Sequence, residues 1–148
     1  MSITGVSLDI SLCDGPIGPI ELVWPQDCGA ECTFLGRTRE ESHPVYGPLI
    51  RLEYEAYRPM AEKVLAELAD KAISRFSCRA VRIAHSQGAV QPGQASVAIQ
   101  VATAHRAEAF AACRFLIDRL KNELPIWKRQ IWAQGESFVD GCPPPSGE

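Results

Sequence analysis

Residues 95–125 read ASVAIQVATAHRAEAFAACRFLIDRLKNELP, and a change of period inside this stretch decides the fold. Val97, Ile99 and Val101 alternate with small or polar neighbours, which predicts a strand over Ala95 to Thr103. From Arg106 the spacing changes: Phe110, Cys113, Leu116, Ile117, Leu120 and Leu124 recur three and four residues apart, which predicts a helix to Leu124 that buries that row. Pro125 cannot continue a helix and ends it. A strand that feeds directly into an amphipathic helix implies a helix laid on a sheet.

Working outward, IWKRQIW at 126–132 is rich in aromatic and β-branched residues and reads as the last major strand. Upstream, Gln91-Pro92-Gly93 is a turn that joins Ala95 back to a strand at Ala80 to Ala84. Before that, Pro59 suits the first turn of a helix in which Met60, Val64, Leu65, Leu68, Ala72, Ile73 and Phe76 form the buried row. In Leu49 to Tyr57, Arg51, Glu53 and Glu55 alternate with Leu52, Tyr54 and Ala56, a half-buried strand with a solvated face. Thr38 to Pro44 reads as a surface loop, Gly29 to Arg37 as extended, and Ile3, Val6, Leu8, Ile10 and Leu12 as a first strand, followed by Gly15-Pro16-Ile17-Gly18-Pro19 and a short helix or turn to Trp24. The order β, β, β, α, β, β, α, β lacks the strict alternation of a doubly wound parallel sheet. It implies an α+β fold with a mixed or antiparallel sheet and two main helices packed on it, in one domain over 1–140 with a mobile tail at 141–148.

Composition narrows the function. The chain has 148 residues, 46% of them hydrophobic, enough for one core without staples. No apolar run reaches membrane-spanning length and MSITGVSLDI lacks the marks of a signal peptide, so a cytoplasmic protein off the membrane is expected. A net charge of -3, from 15 Lys+Arg against 18 Asp+Glu, argues against nucleic acid. Cys13, Cys28, Cys32, Cys78, Cys113 and Cys142 read as reduced thiols rather than disulfides, and no zinc-ligand spacing occurs. The signature loops of hydrolases, NTPases, dinucleotide enzymes and zinc proteases are missing.

Three polar clusters fall at element ends. Arg37 and Arg39 follow a strand beside His43. His105-Arg106 opens the second helix, where free N–H groups and the helix dipole favour an anion. Lys121 ends that helix and Lys128 lies between Trp127 and Ile131, where desolvation suits a lysine to nucleophilic or acid–base work. Each has a plainer alternative: solvated loop arginines, a capping or core histidine, a lysine answering the helix dipole, and an exposed strand face. His85 is assigned no role by pattern.

Taken in order, GAECTFLGRTR, LEYEAYRPMAEKVLAEL, VATAHRAEAF and LKNELPIWKRQ resemble one family, the molybdopterin synthase catalytic (large) subunit, from Gly29 to about Gln130. The resemblance implies an α/β hammerhead-type fold and a sulfurtransferase of molybdenum cofactor biosynthesis. It implies a homodimer that becomes a heterotetramer with a small ubiquitin-like sulfur carrier, whose C-terminal Gly-Gly thiocarboxylate gives sulfur to cyclic pyranopterin monophosphate. The pterin is then substrate, and neither a cofactor nor a metal is expected. Lys121 and Lys128 match the family's essential lysines; Arg39, His105 and Arg106 match its substrate-binding residues. The chain departs from the family pattern at Gln130, where an acidic residue is common, at His85-Ser86-Gln87-Gly88 and Gln94, and at Phe138 and Cys142. A non-catalytic relative that binds the carrier or a pterin phosphate is the alternative.

Overall fold

A computed structural model describes residues 6–18 and 25–138. The start of the first strand at Ile3, the turn or helix up to Trp24, the tail and Cys142 lie outside the described residues. In chain order the elements are β1 (Ser7–Asp14), β2 (Ala30–Arg37), β3 (Ser42–His43), β4 (Gly47–Ala56), α1 (Arg58–Phe76), β5 (Ala80–Val90), β6 (Ala95–Thr103), α2 (Arg106–Glu123), β7 (Ile126–Trp132) and β8 (Gly135–Phe138).

The strands form one mixed eight-stranded sheet in the order β2-β6-β5-β4-β7-β8, with β1 beside β5 and β3 beside β4. Only β1–β5 is parallel, Ser7 facing Ala80 and Asp14 facing Gln87. The other pairs are antiparallel. Strand β5 holds the two parts together. Its first residues pair with β6 and β1, and only Gly88 to Val90 reach β4. Gly88 has φ +87°, a conformation in which a side chain is strained, so the glycine permits the bend between the two pairings.

The core lies between the helices and β6–β5. Ala61, Leu65, Leu68 and Ala72 from α1 and Ala109, Ala112, Cys113, Leu116 and Leu120 from α2 pack on Val81, Ile83, Val97, Ile99 and Val101. Two residues expected in this core are outside it: Met60 is 51% exposed and Phe110 65%. Each sits one position off the buried stripe that starts at Ala61 or Ala109, and one position is about 100° round a helix, which turns the side chain out to solvent.

Three further expectations change. The strand from Ala80 runs on to Val90, because β1 and β4 supply partners that the local pattern does not reveal. The segment after Arg37 is not wholly a surface loop: Thr38 is buried, its amide donates to the Gln94 carbonyl, and Ser42–His43 form a short strand on β4. And the last major strand, β7, is followed by a further short strand, β8, that the pattern does not mark.

His43 belongs to a structural corner. Its Nδ1 accepts the amides of Val45 and Tyr46 at 3.0 and 3.1 Å, its ring stacks on Tyr46 at 4.5 Å, and it leans on Trp132. A Cβ at Gly135 would stand 2.5 Å from the Tyr46 ring. Gly135→Ala is therefore expected to lower unfolding free energy by about 1–3 kcal/mol, read from the urea midpoint at constant m-value.

Candidate functional site

The second helix and the strand after it bring two lysines to one end of the fold. Leu124 leaves the helix in extended geometry, its amide still donating to the Leu120 carbonyl, and Pro125 starts the chain into β7. Lys121 therefore stands exposed in the last turn of α2, and Lys128 partly buried two residues into β7. In the β4–β7 ladder Lys128 faces Tyr54, so both side chains emerge on the same side of the sheet. The Tyr54 ring meets His85 edge-on, with centroids 5.3 Å apart. Its hydroxyl donates to Ser96 Oγ at 3.2 Å, and Ser96 Oγ donates to the Gly36 carbonyl.

His85 is the residue the sequence pattern left without a role. It continues the row Val81–Ile83 on the helix-covered face, with Leu12 and Val97 opposite it on the neighbouring strands. Burial chiefly, and then the positive charges of Lys128 and Lys121, hold the imidazole neutral down to about pH 4, against a hydrogen bond to the Ser86 carbonyl that acts the other way. The charges of both lysines reach the same buried ring. The available signal was the alternation Val81, Ile83, His85, a polar residue at the end of a core row.

Arg39 lies toward that end of the sheet. Strand β2 runs from Ala30, opposite Thr103, to Arg37, opposite Ala95, and the chain then passes Thr38, which is tied to Gly93 and Gln94. Arg37 donates to the Gly93 carbonyl at 3.0 Å. Arg39 is exposed and pairs with Glu41 at 3.4 Å, a contact weak enough to yield to a stronger anion.

His105 and Arg106 lie at the other end. His105 is the extended N-cap of α2, without a side-chain cap, and Arg106 opens the helix; both are exposed. At a rise of about 1.5 Å per residue, the axis from Arg106 to Lys121 spans about 22 Å. Within one chain the two clusters do not meet.

The residues that depart from the family pattern have local partners. Gln130 accepts from Ser137 Oγ at 3.0 Å, which itself accepts from Trp132 Nε1. Ser86 Oγ donates to the Gly15 carbonyl at 2.7 Å, Gln87 donates to Asp14, and Gln94 closes the turn onto the Gln91 amide. Across the β4–β7 ladder from Arg129, next to Tyr54 in β4, Glu53 is held between Arg51 and Arg129, and hydrogen bonds from these two hold its carboxyl below the usual range. Glu53 and Arg129 line a cavity of about 330 Å³ with Trp127 and Phe138. Their mutual pairing makes it a structural network rather than a poised catalytic one. Burial pushes Cys78 up to about 11 and Cys113 up to about 12, so neither is a thiolate nucleophile at neutral pH. Among the described residues no helix is long and apolar enough to cross a membrane.

Comparison with known proteins places the chain in a family. The family described as MoaE protein matches residues 17–123, a span that includes Arg39, His105, Arg106 and Lys121 and stops short of Lys128. The molybdopterin synthase catalytic subunit of Caulobacter vibrioides is 36% identical over 136 residues, covering 88% of this chain and 88% of that protein. The crystal structure of molybdopterin synthase from Staphylococcus aureus superposes with a TM-score of 0.74 at 31% identity, over 93% of this chain and 98% of that one. A Helicobacter pylori structure, described as a complex of subunits 1 and 2 of molybdopterin-converting factor, shares the fold with a TM-score of 0.71 at 19% identity, over 89% and 90%. With the family matched over most of its length and relatives of this identity and coverage, the chain belongs to the MoaE family of molybdopterin synthase catalytic subunits.

Proposed function

We propose that the site around Lys121 and Lys128 takes sulfur from the thiocarboxylated Gly-Gly terminus of a small ubiquitin-like carrier and places it on cyclic pyranopterin monophosphate, twice, to build the molybdopterin dithiolene. The observation that carries this reading is the placement of Lys121 in the last turn of α2 and Lys128 at the start of β7, opposite Tyr54, whose ring touches buried His85. A thiocarboxylate and a phosphate ester are both anions that repel one another, and a pair of ammonium groups offsets that repulsion while orienting them. The thiocarboxylate sulfur forms a C–S bond at a side-chain carbon of the pterin as a C–O bond there breaks, the oxygen leaving as water or on the phosphate, and water then cleaves the acyl–sulfur bond. The carrier leaves as a carboxylate, the sulfur remains on the pterin, and a nearby ammonium stabilises the oxyanion between the two. In this scheme Lys121 holds the carrier's terminus and Lys128 moves the proton or orients the substrate. The reaction runs in the cytoplasm, with the pterin as substrate and no resident metal or cofactor called upon.

Arg39 and Arg106 take the phosphate, and His105 donates a hydrogen bond or shuttles a proton. Arg39 can do this in the same chain as the lysines. His105 and Arg106, about 22 Å along α2 from Lys121, can do so only if a second copy brings its own helix start to the site. Self-association is therefore part of the proposal, and with a carrier on each copy the assembly is a heterotetramer.

The test is formation of dithiolene from purified chain, thiocarboxylated carrier and cyclic pyranopterin monophosphate. Product from the native chain supports the reading. An intact carrier that binds but is never consumed sinks it in favour of a non-catalytic relative. The shared site has its own check: Lys121→Ala and Arg106→Ala are each expected to be inactive, and mixing them by unfolding and refolding together should restore about a quarter of the native rate, because half the dimers are mixed and each mixed dimer holds one intact site. No recovery on mixing would place Arg106 outside the lysine site.

A further inference from the structure

We infer that His85 is a positioning residue for the lysine pair: its Nε2 lone pair accepts a hydrogen bond from the Lys128 ammonium and holds that lysine, charged, at the mouth of the site. The inference rests on the reading of Lys121 and Lys128 as the sulfur-transfer site and adds a residue to it.

The tautomer follows from geometry. His85 Nδ1 lies 2.8 Å from the Ser86 carbonyl oxygen. A carbonyl accepts and never donates, so in a neutral ring Nδ1 carries the proton and Nε2 is left as a bare acceptor. Ring orientation is fixed as well. The Tyr54 ring packs edge-on against the imidazole, and Tyr54 is tethered through Ser96 to the β2 backbone. On either side of His85 the sheet offers Leu12 and Val97.

The titratable or charged groups that face the ring are Tyr54 from β4, Lys128 from β7 and Lys121 from α2. Lys128 is the nearer match, since it stands opposite Tyr54 in the ladder and its charge acts on His85 more strongly than that of Lys121. A neutral acceptor at this point does what a carboxylate cannot. It satisfies an ammonium donor without cancelling its charge, so the cationic field meant for the carrier's thiocarboxylate survives. It also adds no third positive charge.

The first readout needs no turnover. Lys128 labelled at 13Cε is titrated in the native full-length chain, in His85→Gln, which keeps an acceptor near the Nε2 position, and in His85→Phe, which keeps a flat ring and removes it. His85→Phe is expected to move the Lys128 midpoint down by about one pH unit, a tenfold loss of proton affinity, while His85→Gln leaves it near the native value. The alkaline limb of kcat against pH should follow the Lys128 midpoint in each variant, with KM for the carrier unchanged; a merely structural histidine lowers stability and leaves the limb where it was. If His85→Phe does not fold, 15N shifts of the native imidazole decide the matter, since protonation at Nδ1 is required and a proton on Nε2 overturns the inference. An unmoved Lys128 midpoint in both variants also overturns it. A native chain that transfers no sulfur overturns the proposed function instead, and the Lys128 titration still decides the role of His85.

Discussion

Replacing Lys128 with alanine is expected to slow single-turnover dithiolene formation by about 10²- to 10³-fold, the usual loss when one oxyanion-stabilising donor is removed, while stability falls by no more than about 1–3 kcal/mol, the cost of a buried acceptor left without its donor. The two expectations follow from the same placement. Lys128 is partly buried on β7 but contributes no apolar volume to either large cluster, so its loss leaves no cavity. Its charge stands beside a ring that is kept neutral, and Arg39 is paired with Glu41. Lys121→Ala is expected to lose activity to a similar degree, and the double variant little more than either single one, because residues that act on one oxyanion are not additive. Lys128→Arg should recover only part of the rate, since a planar fork presents its donors differently from an ammonium. A Lys128→Ala chain within tenfold of the native rate would remove Lys128 from the chemistry.

The second large effect is on stability in acid. In the native chain His85 stays neutral down to about pH 4, against an ordinary histidine value of 6.5. Between these values the unfolded chain takes up a proton there that the native chain refuses. The contribution is therefore fully present above pH 6.5 and is lost as pH falls toward 4, amounting to about 3 kcal/mol across the window. Carboxylates titrate in part of the same range, so the quantity to measure is a difference: urea unfolding of the native chain and of His85→Gln at pH 7, 5.5 and 4.5. The native chain should lose more stability than the variant over this range. Parallel decline in the two would mean that His85 is not the buried neutral group.

What was legible in the sequence and what was not divide along physical lines. Where one face of an element meets one partner, local period suffices. The alternation in Ala95–Thr103 and the three–four spacing of Cys113, Leu116 and Leu120 gave both elements to within a residue. Pairing over long separations leaves no local trace, so β5 was read as half its true length and β3 and β8 were not foreseen. In both helices the buried stripe starts on a small residue, Ala61 or Ala109, whose size does not mark it as core, so the larger neighbours Met60 and Phe110 draw the expectation instead. In the site, Lys121 and Lys128 were visible because they flank Pro125, a helix stop that forces them close. His85 was hidden because its partners come from β4, α2 and β7. The wide separation of Arg106 from Lys121 follows from helix length alone, yet it mattered only once both were assigned to one site.

Strand β1 reaches its partner only at Ala80, and β4 meets its long partner only at Ile126. During synthesis on the ribosome, β4 must therefore wait, with much of its edge unpaired, until nearly the whole described chain has been made. Contacts this distant along the chain slow folding, and an open strand edge invites pairing with another nascent chain. Yield from fast expression should consequently be limited by aggregation of unfinished chains rather than by the stability of the finished sheet, and slower synthesis should raise the soluble fraction.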